Sequence, residues 1–413
     1  MENYSIVIFI LAIMIGLSAI ADKIRLPYPV LMVSVGIAMG FLPTMPAMEV
    51  NPDVIMLIFL PPLLYDAAFN ISFKAFRTNL NTIFTLAIGL VFITTVGIAV
   101  IAHYVIPGMT WPLSFALGAI LAATDAVSAI SITKGLDISH NTSTILEGES
   151  LVNDASALVA YRFAVAAVTG YAFVFWRASL QFLVLMAGGF LAGAVMSKLL
   201  AVLVRRLQHN TMAILSFLLL MPFVTYRIAE ELHVSGVIAV VTLGLGTSRL
   251  SKMAFPEALK QQSKNIWDII IYLLNGLIFI LIGLQFPTVA RNIDRGALWP
   301  YIGYAFLITV TALALRILRV LSQRINLQRA FKSRRGRISR EALLSLRESI
   351  IIGWSGMRGI VSLAIALGLP RQLENGQPFP QRGAIIFIST VVVLFTIIGQ
   401  GLTLPWLVRK LKP

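Results

Sequence analysis

The sequence has no cysteine among its 413 residues, and only 12% of its residues are charged. The absence of cysteine excludes disulfides, thiolate nucleophiles and thiolate metal sites. Soluble domains carry about 25% charged residues, so the low charge excludes an ordinary soluble protein. Hydrophobic residues make up 58% of the chain, in long runs from end to end. Because a helix needs about 20 apolar residues to cross a bilayer, the sequence predicts an all-α polytopic membrane protein.

Several motifs of enzymes and ATP-driven transporters are also absent. The four histidines have no metal-ligand spacing. The stretch GWSGM has Met357 where a hydrolase nucleophile elbow needs glycine. The chain lacks a phosphate-binding GxxxxGK[ST] loop, and its first apolar run follows MENYS, which has no basic region. We therefore expect no enzyme activity, no ATP-driven motor, no cofactor and no cleaved signal peptide.

Thirteen apolar segments are candidate membrane spans. They lie near residues 4–21, 29–42, 52–71, 80–106, 110–134, 143–170, 176–204, 211–230, 233–247, 265–288, 298–322, 346–370 and 383–409. Lysine and arginine concentrate in the odd-numbered connections and at the C-terminus. The positive-inside rule then places the C-terminus in the cytoplasm and the N-terminus outside. Topology thus accounts for most of the net charge of +15, and we expect no nucleic-acid partner.

The thirteen spans divide into six, one and six. Repeat one would cover about 4–170, a linking helix about 176–204 and repeat two about 211–409, within one transporter domain over 1–413. Spans n and n+7 would enter the membrane from opposite sides, as in transporters with inverted repeats. Span five contains AATDAVSAIS and span twelve contains GWSGMRGIVS, each with one charge among small residues. We expect crossed, broken helices at these two stretches.

Span six contains the acidic stretch EGESLVND, whose side chains fall on two helical rows. Ser150 and Asp154 lie four residues apart on one face, beside a row formed by Glu149 and Asn153. Burying a charged side chain in the membrane costs free energy, so an intramembrane carboxylate is first considered a functional residue. Ser150 and Asp154 offer oxygen ligands suited to an alkali ion or a proton. The alternative is that Asp154 forms an ion pair with Arg162.

Two further carboxylates lie in broken regions of the spans. Thr124 and Asp125 sit where span five is expected to unwind, which would free backbone carbonyls as additional ligands. Asp125 could also cap a helix fragment. Asp66 follows the paired prolines of span three and is expected to be a gate or third carboxylate, with interfacial placement as the alternative.

The remaining buried charges are expected to stabilise the site. Glu149 is assigned to a buried ion pair, and Arg316, the deepest of the three arginines in ALALRILRVLSQRI, is its candidate partner. Arg358 would neutralise the carbonyl ends of the broken helices and a nearby carboxylate. Glu147 lies near the cytoplasmic start of span six, and we expect it to be solvated with no part in transport.

Six stretches carry a family resemblance, in order from about residue 55 to 408. They are FLPPLLYDAAF, ALGAILAATDAVSAI, LEGESLVNDASALV, LALRILRVL, GWSGMRGIVSLAIALGLP and GLTLPWLV. Together they resemble the sodium/proton exchanger branch of the monovalent cation–proton antiporters, the NhaP type. The combination of ATD with GESLVND is specific to that branch.

The resemblance implies a fold and a set of residue roles. It implies thirteen spans in a homodimer in a prokaryotic plasma membrane, and electroneutral exchange, which goes with an Asn-Asp pair. Asp154 would be the principal carboxylate for sodium and the proton, with Asn153 beside it. The other residues it implies are Asp125, the backbone of Thr124 and Ser150 at the ion, Asp66 near it, and Glu149 with Arg316 as a structural charge pair.

The predicted function is therefore secondary active exchange of sodium, or of lithium or potassium, for protons. Alternating access would carry one site across the membrane while cation and proton compete for it. The alternative is a cation channel with a carboxylate-lined path. Two features depart from the family pattern: Ala126 follows the ATD motif where many members have proline, and the sequence ends at Pro413 without a long tail.

Overall fold

The computed structural model describes most of the chain. The described residues are 8–17, 26–42, 52–133, 136, 138–169, 175–207, 210–291, 293–333, 340–373 and 376–411. Within these ranges the secondary structure is helical, apart from one isolated bridge between Gln372 and Pro378. Among the basic residues of the odd-numbered connections, Lys23, Arg25 and Lys134 lie outside the described residues.

The helices follow the apolar segments of the sequence. They are α1 (Ile8–Leu17), α2 (Tyr28–Gly40), α3 (Pro52–Ile58), α4 (Leu60–Asn70), α5 (Phe73–Thr78), α6 (Leu80–Phe84), α7 (Val91–Val105), α8 (Trp111–Ala122), α9 (Ala126–Thr133), α10 (His140–Val168), α11 (Phe175–Arg206), α12 (Thr211–Glu231), α13 (Gly236–Ala254), α14 (Glu257–Arg291), α15 (Arg295–Lys332), α16 (Leu346–Trp354), α17 (Ile360–Leu367), α18 (Arg382–Leu394) and α19 (Gly401–Lys410). Single π-helical segments, Thr85–Leu90 and Phe395–Gln400, join α6 to α7 and α18 to α19.

Each predicted span contains described helix. In the described part of the chain, nine helices are long and apolar enough to cross a membrane, and three shorter ones correspond to spans one to three. Span twelve is divided into α16 and α17. The predicted all-helical membrane fold is therefore confirmed. Span nine is longer than expected, since α13 continues to Ala254, past basic residues that the sequence placed in a connection.

The paired prolines of span three do not break the helix where they stand. The interruption falls at Phe59, and Pro61 and Pro62 occupy the first turn of α4. Proline is tolerated there because the first-turn N–H groups have no partner within the helix. The prolines thus begin a helix, and Asp66 lies on its second turn.

The helices pair in a pattern that repeats after seven spans. Helix α2 (span two) packs most extensively against α14 (span ten), and α4 (span three) packs against α13 (span nine). A shift of seven spans converts the first pair into the second. The pairs α7–α8 and α15–α16 are related in the same way, as are α8–α10 and α17–α18. This repetition supports the proposed division into two inverted repeats joined by α11.

Small residues bring paired helices into backbone contact. Gly36 of α2 faces Gly283 of α14, and a Cβ added to either residue would overlap backbone atoms of the other helix. Gly244 of α13 faces α4 in the same way, where a Cβ would lie 2.9 Å from the carbonyl oxygen of Tyr65. Membrane helices associate through such small residues because lipid provides no hydrophobic drive.

Candidate functional site

The breaks in spans five and twelve meet inside the protein. The backbone N–H of Asp125, between α8 and α9, donates to the carbonyl oxygen of Met357, between α16 and α17, over 2.8 Å. Gly359 lies so close that an added Cβ would stand 2.7 Å from the carboxyl carbon of Asp125. The expected crossing of broken helices is therefore present, and its closest approach depends on a residue without a side chain.

Asp125 caps the second half of span five. Its Oδ1 accepts hydrogen bonds from the N–H groups of Val127 at 2.9 Å and Ser128 at 3.3 Å, and its Oδ2 accepts one from the hydroxyl of Ser128 at 2.5 Å. These bonds satisfy the first N–H groups of α9, which have no helical partners. The capping role considered from the sequence is therefore present, with acceptor capacity left on Oδ2.

Thr124 connects span five to α10 through both its oxygens. Its carbonyl oxygen accepts hydrogen bonds from Ser150 Oγ at 3.1 Å and Asn153 Nδ2 at 3.3 Å. Its hydroxyl accepts a bond from Asn153 Nδ2 at 2.6 Å and donates to Glu149 Oε1 at 3.1 Å. In this conformation Ser150 and Asn153 therefore hold the unwound segment, while Asn153 Oδ1 is buried with no partner among the described residues.

Glu149 and Arg316 form a bidentate ion pair in the protein interior. Arg316 Nη1 lies 2.5 Å from Glu149 Oε1, and Nη2 lies 2.8 Å from Oε2. Both residues are only 1% exposed, and Arg316 Nε also donates to the carbonyl oxygen of Ile352. The two charges proposed as partners from the sequence are thus in direct contact. Glu149 is thereby occupied and contributes no free oxygen to a cation.

Arg358 binds carbonyl groups at both helix breaks. Its Nε donates to the carbonyl oxygen of Leu121 at 3.0 Å, near the C-terminal end of α8, and its Nη1 donates to that of Gly356, just after α16. Its own N–H donates to Thr396 Oγ1 at 3.1 Å. The last carbonyls of a helix carry partial negative charge, so a cation here stabilises both interrupted ends. These contacts agree with the expectation that Arg358 neutralises the carbonyl ends of the broken helices.

Asp154 differs from the other buried charges. Its residue is only 6% exposed, yet no described group donates a hydrogen bond to its carboxylate. The alternative partner, Arg162, instead forms a salt bridge with Glu230 at 3.3 Å. A buried carboxylate without a partner is costly, which makes Asp154 a candidate ligand-binding group.

A cavity of about 1660 Å³ extends to Asp154. Its lining includes the exposed residues Lys264 and Arg409, and also Ser150, Asp154 and the Thr124–Asp125 break. Glu149 and Asn153 do not line it. The two rows predicted for EGESLVND therefore face different surroundings: one faces the cavity, and the other faces the packed interior.

Three further acidic side chains line the cavity: Asp66, Glu147 and Asp268. Asp66, which was predicted to lie near the ion, lines the cavity and accepts a hydrogen bond from Asn70 at 2.9 Å. Glu147 and Asp268 line it too, although no role was predicted for either. Glu147 could have been found, because it precedes Ser150 and Asp154 by three and seven residues on one helical face. Asp268 is a lone charge at the start of span ten, without a distinguishing sequence signal.

The family follows from comparison with known proteins. The family model for the transmembrane part of the sodium/hydrogen exchangers matches residues 8–410. The chain belongs to this family. It is therefore an integral membrane protein of a transporter family.

Two relatives of the exchanger family illustrate the range of similarity. The sodium, potassium, lithium and rubidium/H⁺ antiporter of Bacillus pumilus is 34% identical over 420 residues, which cover 99% of this chain and 62% of the relative. The Na⁺/H⁺ antiporter NhaH of Halobacillus aidingensis is 32% identical over 420 residues, covering 98% of this chain and 97% of the relative. The chain thus spans less than two thirds of the length of the Bacillus relative.

A solved structure shows the same fold. The sodium proton antiporter MjNhaP1 from Methanocaldococcus jannaschii, determined at pH 8, superposes with a TM-score of 0.73 at 19% sequence identity, covering 99% of this chain and 98% of that one. At this identity the similarity concerns the fold alone. The resemblance to the NhaP type, stated from six stretches of sequence, is confirmed by these comparisons.

Proposed function

We propose that this protein exchanges sodium for protons at Asp154. The observation that carries the proposal is a buried carboxylate with no described hydrogen-bond donor, at the inner end of a cavity and beside two crossed helix breaks. A carboxylate in this position can bind either a cation or a proton, and each ligand excludes the other. Competition for one group is the minimum that an exchanger requires.

The residues around Asp154 provide further ligands for the cation. Asp125 retains acceptor capacity on Oδ2, and Asn153 Oδ1 is a buried acceptor without a described partner. Ser150 and the carbonyl of Thr124 would join the site by exchanging their mutual hydrogen bond for the ion. Hard oxygen atoms of this kind suit alkali cations. Asp66 lines the same cavity and would act nearer its mouth.

We propose that the site alternates between the two sides of the membrane. The cavity lining includes the exposed residues Lys264 and Arg409, which lie at the ends of segments rich in basic residues. With the C-terminus in the cytoplasm, this conformation would be open to the inside. On the other side of the crossing, an apolar cluster that includes Leu117, Leu121 and Phe387 fills the interior. A path blocked on one side supports a carrier over the alternative of a cation channel.

The charge inventory supports electroneutral exchange. Glu149 is neutralised by Arg316, and Asn153 stands beside Asp154 where a second carboxylate would carry another proton. With Asp154 as the exchanging group, each cycle would move one sodium ion against one proton. Lithium and potassium are further candidate substrates, because the Bacillus pumilus relative is named for sodium, potassium, lithium and rubidium.

The wider assembly is also a proposal. We expect a homodimer in a prokaryotic plasma membrane, with monovalent cations and protons as transported partners and the N-terminus outside. The bacterial origin of the relatives supports the membrane assignment.

A proteoliposome assay tests the exchange. Purified protein is reconstituted with an internal pH dye, and sodium is added outside with the membrane potential clamped to zero or to a negative value. We expect sodium-driven proton movement at a rate that does not depend on the potential. Asp154→Asn should abolish this movement and leave the protein folded, whereas Asp294→Asn, an exposed residue before α15, should exchange like wild type. Exchange by the Asp154→Asn protein would refute the assignment of the site.

A further inference from the structure

Helix α10 continues well beyond Asp154, but the cavity does not follow it. The described residues of α10 that line the cavity are Glu147, Ser150, Leu151 and Asp154, and none of them comes after Asp154. Arg162 lies eight residues further along, which corresponds to about 12 Å on the helix axis. Along α10 the cavity therefore ends at Asp154, and Arg162 lies on the closed side.

On this closed side, Arg162 connects α10 to the turn between α12 and α13. Its Nη2 lies 3.3 Å from Glu230 Oε2 in a salt bridge. The other oxygen of the same carboxylate, Oε1, accepts a hydrogen bond from the N–H of Gly236, the first residue of α13, at 3.1 Å. Glu230 is thus held by the α12–α13 turn, and Arg162 reaches it from a different helix.

The two partners of this salt bridge belong to different groups of packed helices. Helix α10 packs most extensively against α8 and next against the π-helical segment Thr85–Leu90, whereas α12 packs mainly against α13 and α11. Helices α10 and α12 have little contact with each other. The salt bridge therefore adds little to the packing of either group, but it is sensitive to any movement of α10 relative to α12.

The exposure of the pair suits a contact that forms and breaks. The two side chains are 46% and 27% exposed, so water can solvate both charges after they separate. An ion pair of this kind is weak. The enclosed Glu149–Arg316 pair is different, because its separation would strand two charges in the interior. A weak pair biases an equilibrium between two conformations without trapping the protein in either one.

We propose that Arg162 and Glu230 form a latch that holds the protein closed on the side opposite to the cavity. The latch rests on the alternation proposed above: opening the closed side moves α10 relative to the α12–α13 turn and separates the two charges. Loss of either charge then raises the population of the conformation in which Asp154 is reached from the side of Arg162. Arg162 thus acts on access to Asp154 and not on its charge.

The absence of cysteine from the chain makes the latch testable by thiol labelling. Leu158→Cys places a single thiol on α10 between Asp154 and Arg162, at a partly buried position on the closed side. Purified protein in detergent is treated with a charged methanethiosulfonate reagent, which labels water-accessible thiols. We expect Glu230→Gln and Arg162→Gln each to raise the labelling rate about twofold to fivefold, as loss of a partly exposed ion pair allows.

The same background separates the pair from its individual residues. Glutamine at position 230 keeps an oxygen that can accept the N–H of Gly236, so the change removes the charge and leaves the start of α13 capped. The double variant should be labelled no faster than the faster single variant, because both changes break one interaction.

Two controls distinguish the latch from loosened packing. Arg227→Gln removes the salt bridge from Arg227 to Glu231, which lies at the same end of α12 but joins two residues of one helix. This variant should label Leu158→Cys at the rate of the unaltered background. Ala67→Cys places the thiol in the cavity lining on α4, and its labelling should not rise when Glu230→Gln is added.

Three results would overturn the latch. They are an unchanged labelling rate of Leu158→Cys in both charge variants, an equal rise with Arg227→Gln, and an equal rise at Ala67→Cys. Failure of the exchange itself would look different, since wild type would then show no sodium-driven proton movement. The labelling rates need no transport and would still decide whether the two charges hold the closed side.

Discussion

Replacing Glu149 by glutamine should destabilise the protein strongly, although the two side chains have nearly the same size. The change removes the negative charge that faces Arg316 and leaves the guanidinium in an interior where it is only 1% exposed. One charge-assisted hydrogen bond of 2.5 Å and another of 2.8 Å are lost or weakened together. Among the hydrogen bonds of Arg316 to described residues, only the bond from Nε to the carbonyl of Ile352 does not involve Glu149.

The expected magnitude follows from the cost of an unpaired buried charge. Removing one partner of a buried ion pair costs about 3–5 kcal/mol of unfolding free energy. Replacing both partners by apolar residues of similar volume avoids that cost, so Glu149→Leu with Arg316→Met should recover most of the stability. Because Thr124 also donates to Glu149 Oε1, we expect the recovery to remain incomplete.

The assay is unfolding of purified protein in detergent, evaluated as a double-mutant cycle. The matched control is Glu230→Gln, which breaks the salt bridge to Arg162. That pair is partly exposed, at 46% and 27%, so its loss should cost about 0–1 kcal/mol. If Glu149→Gln were as stable as Glu230→Gln, the ion pair would not stabilise the crossing, and our interpretation of both residues would be wrong.

Two further variants test the crossing itself. Gly359→Ala should abolish exchange, because its Cβ would stand 2.7 Å from the carboxyl carbon of Asp125; Gly399→Ala, with open space around the added atom, should exchange like wild type. Arg358→Gln should lower stability by about 1–3 kcal/mol, because the buried carbonyl of Leu121 loses its charged hydrogen-bond donor. Thermal unfolding in detergent and the proteoliposome assay check both, and a fully active Gly359→Ala protein would refute the close approach.

Much of the fold could be predicted from the sequence because the bilayer imposes strong local rules. Apolar length identified the spans, and small residues around a single charge identified the two broken ones. The interruption in span three was misplaced for a local reason as well: Pro61 and Pro62 favour a helix start, so the break lies before them at Phe59. Helical spacing also separated Glu149 from Asp154 before any contact was known.

The contacts between distant segments of the chain could not be predicted from the sequence. Ser150 and Thr124 were both expected at the ion, and no local pattern indicates that the hydroxyl of one donates to the carbonyl of the other. Glu147 was set aside because it lies near the end of a span. Its position in the cavity depends on how α4, α10 and α14 pack together, which is a property of the tertiary structure. Asp268 joins the same cavity from another repeat, so its position also required the tertiary structure.

The charges at the crossing explain why one ligand at a time would permit movement. Glu149 is cancelled by Arg316, and Arg358 carries a second buried positive charge at the crossing that also contains the carboxylate of Asp125. Asp154 then leaves one negative charge, and either one sodium ion or one proton brings the sum to zero. Carrying a net charge through the low-dielectric interior is costly, whereas a neutral site can cross. Under the proposed exchange, the empty site would therefore remain on one side, and each passage would carry either a sodium ion or a proton.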